Sequence, residues 1–475
     1  MIKNKKLLII LSVLLIILIA STVVLVLVVK PSKDNSQSSS AIDDKINIVN
    51  STKENISSIS IKNNKGNFTL IQTEANVYKL KDSENAQLDT NTAKAIFDVL
   101  SIIDAKKDIG VNENLNEFGL EPAIASADIS YNDGTTINLK LGKTLSDGKY
   151  YFKTSNSKNI YAVDSSIGVN LLIDKMSLFS TTLLKSNITA DTLKSFSILE
   201  GTTPKITVVK NQAPPSSTNY FSLTTQFQIT EPFNWNADDN VILGSSNQDN
   251  GIVFFLSQIR LKEVVADNVN KETLDKYNLS APAYTIKIYD NDKSVIFLSK
   301  KQTDNTYYAY SDTSSVVGKI DASILPFIEK NINYFCNKLT SVIDIKLVNA
   351  LTISSSDKSY KFDLVDSDKS GDEMKVMYNG KQMDTADFRQ LYTISLSANI
   401  TGLGKKTTNV PYLTVEISLK DGNKNVIKYY NIDNSLECFA EINGSDKFMV
   451  FKSSVDKIIN SASDFIEGKK IKADD

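Results

Sequence analysis

The chemistry open to this chain is bounded first by what it lacks. Histidine is absent, so no imidazole can serve as general base near neutral pH or as a ligand for zinc, copper or haem iron. Two cysteines, Cys336 and Cys438, are too few for a thiolate-only zinc or iron–sulfur site. A single disulfide and two buried thiols are both open from sequence, and no spacing rule pairs them. Carboxylate-only hydrolysis, as in wall-degrading glycosidases, asks for just two acidic groups about 5–10 Å apart. The 55 acidic residues supply those without any local signature.

Three further stretches have side chains suited to binding. "DSDKSGDE" at 366–373 puts Asp366, Asp368 and Gly371 at the first, third and sixth places of a calcium loop. The twelfth place is Met377, which has no carboxylate to give, so a solvated acidic hairpin turn is expected. Aromatic pairs recur at Tyr150-Tyr151, Tyr307-Tyr308 and Tyr429-Tyr430. Successive strand residues face opposite ways, so one Tyr of each pair points from the core and offers a contact surface. Trp235, in "EPFNWNADDN", is either a partner anchor or a tuck for its own loop. Tyr150, Tyr151, Tyr307, Tyr308 and Trp235 are the candidate contact residues; no catalytic, cofactor or metal residues are expected.

The elements that would position these groups begin with an anchor. Residues 7–29 have no charge, and as a helix they span about 34 Å, enough for a hydrocarbon core of about 30 Å. Lys3, Lys5 and Lys6 precede the run, which favours a cytoplasmic N-terminus and an extracytoplasmic bulk. The apolar run is longer than a secretion-signal core, so an uncleaved anchor is expected. The expected divisions are a basic stub at 1–6, a transmembrane anchor at 7–29 and a polar linker at 30–54. Lys+Arg 53 against Asp+Glu 55 leaves a net charge of -2, unlike the basic field of a nucleic-acid binder.

The rest of the chain repeats itself. "EFGLEPA" at 117–123 returns as "KYNLSAPA" at 276–283, and each leads into an alternating run. After Pro122, Pro282 and Pro411 the order of parts is the same: strand, polar turn, strand, aromatic strand, turn, strand, and an apolar helix opened by Ser. Turns such as "NDG" at 132–134 and "DG" at 421–422 suit tight hairpins. Ahead of each run lie a hairpin and a helix. Ala93, Ile96, Phe97, Leu100 and Ile103 share one helical face behind Asp89 or Thr90, and Phe388, Leu391 and Tyr392 follow Asp384-Thr385. In the second copy the helix is expected at 251–262, behind an insertion. The fold class is α+β: three modules, 55–177, 188–333 and 343–467, each an antiparallel meander covered by helices.

With these motifs in place, the chain resembles the membrane-anchored bacterial domain-of-unknown-function family 4340. The resemblance rests on Gly66-Asn67-Phe68-Thr69-Leu70, Phe118-Gly119-Leu120-Glu121-Pro122, Leu141-Gly142 and Ile160-Tyr161-Ala162-Val163-Asp164. The later copies depart from it: Asn278 stands in place of the Gly, and the third keeps only Val410-Pro411. That family has no established activity, and its members neighbour genes for ABC-type export permeases and gliding-motility-like auxiliary proteins. The resemblance implies a transporter-associated surface protein and carries over no catalytic residue. The expected function is therefore a membrane-anchored extracytoplasmic binding or assembly protein, not an enzyme. Its expected partners are the bilayer through 7–29 and an ABC-type permease or a cell-surface polymer. A carboxylate-dependent cell-wall hydrolase is the alternative.

Overall fold

The computed structural model describes residues 46–83, 86–211, 225–245, 250–369, 373–406 and 410–471. The basic stub, the anchor run at 7–29 and the linker up to residue 45 lie outside the described residues. Among those described, no helix is long and apolar enough to cross a membrane. The described chain bears out the repeated antiparallel modules and is mainly β, with fewer covering helices than the α+β class expected from the sequence implies. It holds three nine-stranded antiparallel sheets.

The first sheet contains β1 (Ile46–Asn50), β2 (Ile56–Asn63), β3 (Gly66–Glu74), β4 (Val77–Leu80), β5 (Ile102–Val111), β6 (Ala125–Tyr131), β7 (Thr136–Thr144), β8 (Tyr150–Thr154) and β9 (Asn159–Val163). Helices α1 (Thr90–Ser101) and α2 (Ser165–Leu171) belong to it. The second contains β10 (Ser195–Glu200), β11 (Thr203–Lys210), β12 (Phe227–Glu231), β13 (Trp235–Asn236), β14 (Glu263–Ala266), β15 (Tyr284–Tyr289), β16 (Lys293–Leu298), β17 (Thr306–Ser311) and β18 (Val317–Asp321). Four short helices accompany it: α3 (Asp239–Leu243), α4 (Ile252–Ser257), α5 (Lys271–Lys276) and α6 (Ile332–Phe335). The third contains β19 (Val348–Ser354), β20 (Ser359–Val365), β21 (Lys375–Tyr378), β22 (Lys381–Met383), β23 (Ile400–Leu403), β24 (Leu413–Leu419), β25 (Lys424–Asn431), β26 (Glu437–Ile442) and β27 (Ser445–Phe451). Helices α7 (Thr385–Leu396) and α8 (Lys452–Ile466) pack against each other beside it.

Spatial order shows that the three are copies of one plan. The second sheet runs β13-β12-β11-β10-β15-β16-β17-β18-β14, and the third runs β22-β21-β20-β19-β24-β25-β26-β27-β23. Numbered from the first strand of each, both read four-three-two-one-six-seven-eight-nine-five. The first sheet, β1-β5-β9-β8-β7-β6-β2-β3-β4, matches with β2 as its first strand and β4 as its third, has no strand in the fourth place, keeps β5 in the fifth, and carries β1 outside it. That difference is one of degree. In the second sheet Thr182 bridges Arg260, and in the third Leu339 bridges Asn399. The chain arriving at every sheet thus straps the outer edge of the fifth strand, as a full strand in the first copy and a single bridge in the others.

Local sequence accounts for the shared elements. Asp89, Asp238 and Asp384 each cap a helix, accepting from the backbone N–H of Thr92, Asn240 and Asp387, which satisfies one orphan donor of the first turn. Ala93, Ile96, Phe97 and Leu100 are buried on α1 as expected, whereas Ile103 belongs to β5. The expected helix at 251–262 ends at Ser257, and the second copy closes with short helical turns rather than the long helix of the third. Alternating burial along β24 and β20 puts one sheet face in the core and the other towards solvent.

The repeated Pro-containing turn is equally physical. Gly119 at φ +66° and Asn278 at φ +56° occupy the same left-handed place. The next residue, Leu120 or Leu279, turns back to bond the carbonyl of Leu115 or Leu274 and buries its side chain. Lys143 N donates to Phe118 O, and a Cβ on Gly142 would stand 2.2 Å from that same oxygen. The Gly-Leu turn and the Leu-Gly strand end are therefore two halves of one contact.

Candidate functional site

The candidate contact residues occupy equivalent places without forming a site. Tyr150 and Tyr307 open the same stretch of the eighth strand, opposite Val163 and Ile320. Tyr307 is only 1% exposed, and its hydroxyl meets Glu329 Oε1 at 3.2 Å. Burial, then Glu329, pushes its pKa up. Tyr150 lies over Gly168, where a Cβ would come within 2.4 Å of its ring. The outward residues Tyr151 and Tyr308 are half-buried, because each packs on the aromatic residue of the repeated turn. Phe118–Tyr151 centroids are 4.9 Å apart and Tyr277–Tyr308 centroids 4.7 Å. Tyr429 and Tyr430 lie on the seventh strand, not the eighth, where Cys438 and Phe439 stand opposite Val450 and Met449.

Trp235 is 4% exposed. It sits 4.4 Å from Phe448 of the third sheet, while Nε1 donates to Asn337 O at 2.9 Å. Phe233 approaches the same ring at 5.7 Å. The tryptophan holds two sheets together.

That junction is one of two made alike. Between the first and second sheets, Asp89 N donates to Leu178 O, Ser180 N donates to Gln87 O, and Leu261 N donates to Thr181 O. Between the second and third, Asp238 N donates to Phe335 O, Asn337 N to Asn236 O, and Ile400 N to Lys338 O. The bridges Leu88–Phe179 and Ala237–Cys336 match too. Each connection is bonded to the sheet it leaves and, one residue later, to the sheet it joins. Lys175 and Asp267 add an ion pair of 2.5 Å across the first junction. Cys336 is part of the second, and Cys438 lies on β26; both are free and buried. Burial raises the two thiols to about 12 and about 11.

Beside each strap opens a cleft. In the second module it measures about 380 Å3 and is lined by the strap residues Thr182, Leu184, Lys185, Ser186 and Asn187 and by Ser257 to Arg260 at the end of α4. In the third it measures about 500 Å3 and is lined by Leu339, Ser341, Val342, Ile343 and Asp344 and by Tyr392, Thr393, Leu396 and Ser397 on α7. Aligned on their bridges, these are the same place: Thr182 answers Leu339, Asn187 answers Asp344, and Gln258 answers Ser397. The first module has a cleft of about 440 Å3 just past its strap, lined by Ser51 and Asn55 and by Tyr131, Asn132 and Asp133 of the β6–β7 turn, without the helix end. All three fall in the range of ordinary ligand sites.

The position is kept while its chemistry changes. The second cleft carries Lys185 and Arg260 among hydroxyl and amide side chains, with no carboxylate in its lining. Lys185 Nζ is 3.2 Å from Asp312, and Ser186 Oγ donates to Asp290. The third is mainly apolar, with Asp344 its one charge, and Tyr392 donates to Ile343 O at 2.8 Å to hold the wall. Burial, then Asp344, raises the Tyr392 pKa. Ser341 Oγ in the third cleft and Tyr131 Oη in the first are buried without a hydrogen-bond partner among the described residues. Such groups are costly to leave unpaired. Sequence reasoning missed these clefts, since their walls come from a connection and a helix end or turn about 50–80 residues apart, which no motif links.

The acidic stretch at 366–373 behaves as a turn in its described part. Asp366 adopts φ +57° and pairs with Lys369, and Asp368 meets Lys420 at 2.6 Å. Among the described residues no group of three His, Cys, Asp or Glu side chains is placed to hold a metal ion.

The family model "Domain of unknown function (DUF4340)" covers residues 79–226 and again 228–413, well over half of the chain. The chain belongs to DUF4340. Both matches begin on the third strand of a sheet, β4 and then β12, and run through a junction into the next sheet. The family unit therefore contains the connection as well as the sheet. No curated protein and no solved structure matches.

Proposed function

We propose that this DUF4340 protein is a binding and assembly protein, tethered to the outer face of a membrane by residues 7–29 and accessory to an ABC-type or gliding-motility-like complex. The observation that carries the reading is the cleft beside the strap, kept in position in the second and third modules while its lining passes from basic and mixed to mainly apolar. Contact surfaces diversify in this way, because each copy then recognises a different feature of a partner. An enzyme built by triplication would instead keep one reactive set. The buried, unpartnered Ser341 and Tyr131 hydroxyls offer hydrogen bonds to whatever enters.

The test is purification of the tagged full-length chain in mild detergent, compared with Ser397→Trp and Gln258→Trp, which fill the third and second clefts. Permease subunits should co-purify with the unaltered chain and be lost from one or both variants, whose thermal unfolding should stay within about 1 kcal/mol of the parent. A bare chain that shortens wall polymer on incubation would overturn the reading in favour of hydrolysis.

A further inference from the structure

The two junctions use matched halves, and in the third module one of those halves has no segment bonded to it among the described residues. At each junction the helix cap presents its N–H outward and the residue two before it its carbonyl: Asp89 and Gln87 in the first module, Asp238 and Asn236 in the second. Into that edge fits a segment reading apolar–apolar–polar, or apolar–thiol–amide: Leu178-Phe179-Ser180 or Phe335-Cys336-Asn337, in which the first residue ends a helical turn and the second is extended. The corresponding residues of the third module are Gln382, Met383 and Asp384.

Their geometry follows from the hairpin beside them. Tyr378 and Lys381 close a two-residue turn in which Asn379 and Gly380 both have positive φ, 49° and 77°. In such a turn the closing pair is hydrogen-bonded, so Lys381 and Met383 face β21 while Gln382 faces away. The Gln382 carbonyl and the Asp384 N–H thus project from the edge, and neither has a backbone partner among the described residues. Gln382 and Asp384 are exposed and Met383 is half-buried; the bonded counterparts Gln87 and Leu88 are likewise exposed and half-buried, and Asn236 and Ala237 are buried, so the missing bonds and not the exposure set the third edge apart.

We propose that the edge formed by Gln382, Met383 and Asp384 is a docking site for an extended segment of a partner protein, bound by strand addition with the apolar–apolar–polar pattern of the chain's own junctions. The occupant is identified by precedent within this molecule: the same edge, on the same fold, is an interface in the first two modules. Recognition is through main-chain hydrogen bonds, with the two leading side chains supplying selectivity. The inference rests on the repeated topology and not on the clefts, so it stands or falls apart from the proposed function.

The experiment is amide hydrogen exchange on the full chain, with a synthetic peptide of residues 176–183 (MSLFSTTL) as probe and its Ser180→Pro form, which lacks the N–H that Gln87 O accepts at the first junction, as control. Exchange at Asp384 should slow by about tenfold or more with the probe and stay unchanged with the control, since proline cannot continue the strand. The amides of Asp89 and Asp238, already bonded, serve as internal references. Equal protection by both peptides, or by neither, overturns the proposal; the latter would make this a guarded edge. Protection without peptide that is lost on removing residues 472–475 also overturns it, assigning the edge to the chain's own tail.

Discussion

Replacing Phe448 by Ala tests the claim that the second and third sheets are joined through aromatic packing. The ring is fully buried, 4.4 Å from Trp235 and 5.7 Å from Phe233. A phenylalanine removed from such a site costs about 3–5 kcal/mol, and the ring pairings fall within that sum. For a unit the size of the third sheet each kcal/mol moves the midpoint by about 3 °C, so the loss is about 9–15 °C. The chain contains one tryptophan, which makes its emission a reporter of this junction alone. In the parent protein the indole should emit to the blue and melt together with the far-ultraviolet circular dichroism of the sheets. In Phe448→Ala the native emission should move to the red and its transition should fall by the amount above. Phe362→Ala is the control: that ring is also fully buried, but it packs on Phe388 and Phe465. It should lose similar stability with native emission unchanged. Identical native emission in Phe448→Ala and the parent would refute the packing argument, and a red shift in Phe362→Ala would show the indole sensing the whole sheet.

Other consequences can be checked by simple means. Gly119→Ala should lose about 1–3 kcal/mol in chemical denaturation, because φ is +66° and a Cβ would stand 2.6 Å from Lys143 Cγ; Gly119→Asn should lose less, since Asn278 already takes that conformation. Both thiols should resist a disulfide-exchange reagent at pH 8 in the native chain and react in denaturant, because burial keeps them protonated well above that pH. Asp98 is held below its ordinary 3.8 by hydrogen bonds from Lys94 and then Lys53. A depressed carboxylate stabilises the fold above its unfolded pKa and loses that contribution as pH falls through its folded one. Asp98→Asn should therefore cost up to about 1 kcal/mol at pH 7, measured by urea unfolding, and nothing once the pH is well below 3.8.

Much of the sheet plan was legible. Leu413, Val415, Ile417 and Leu419 alternate in sequence and alternate in burial, and the Asp-Thr helix starts at 89–90 and 384–385 fall where capping chemistry requires. Periodicity misled where apolar residues continued past a boundary: Ile103 fits the α1 face but turns into β5. In the third copy the Tyr pair drew attention to the seventh strand, because Cys438 and Phe439 are poor likenesses of Tyr150 and Tyr151. The straps were hidden for a deeper reason. They are held by main-chain groups, so Leu178-Phe179-Ser180 and Phe335-Cys336-Asn337 can do one job with little in common beyond an apolar start. The clefts inherit that invisibility, being walled by the same connections.

A joint bonded on both sides has a consequence for how such proteins change length. Because the coupling is carried inside the duplicated segment, copies can be gained or lost like links of fixed pitch, with no new connector to evolve. Reach would then be adjusted in whole increments, and variation would concentrate in the linings between links while the couplings stayed the same.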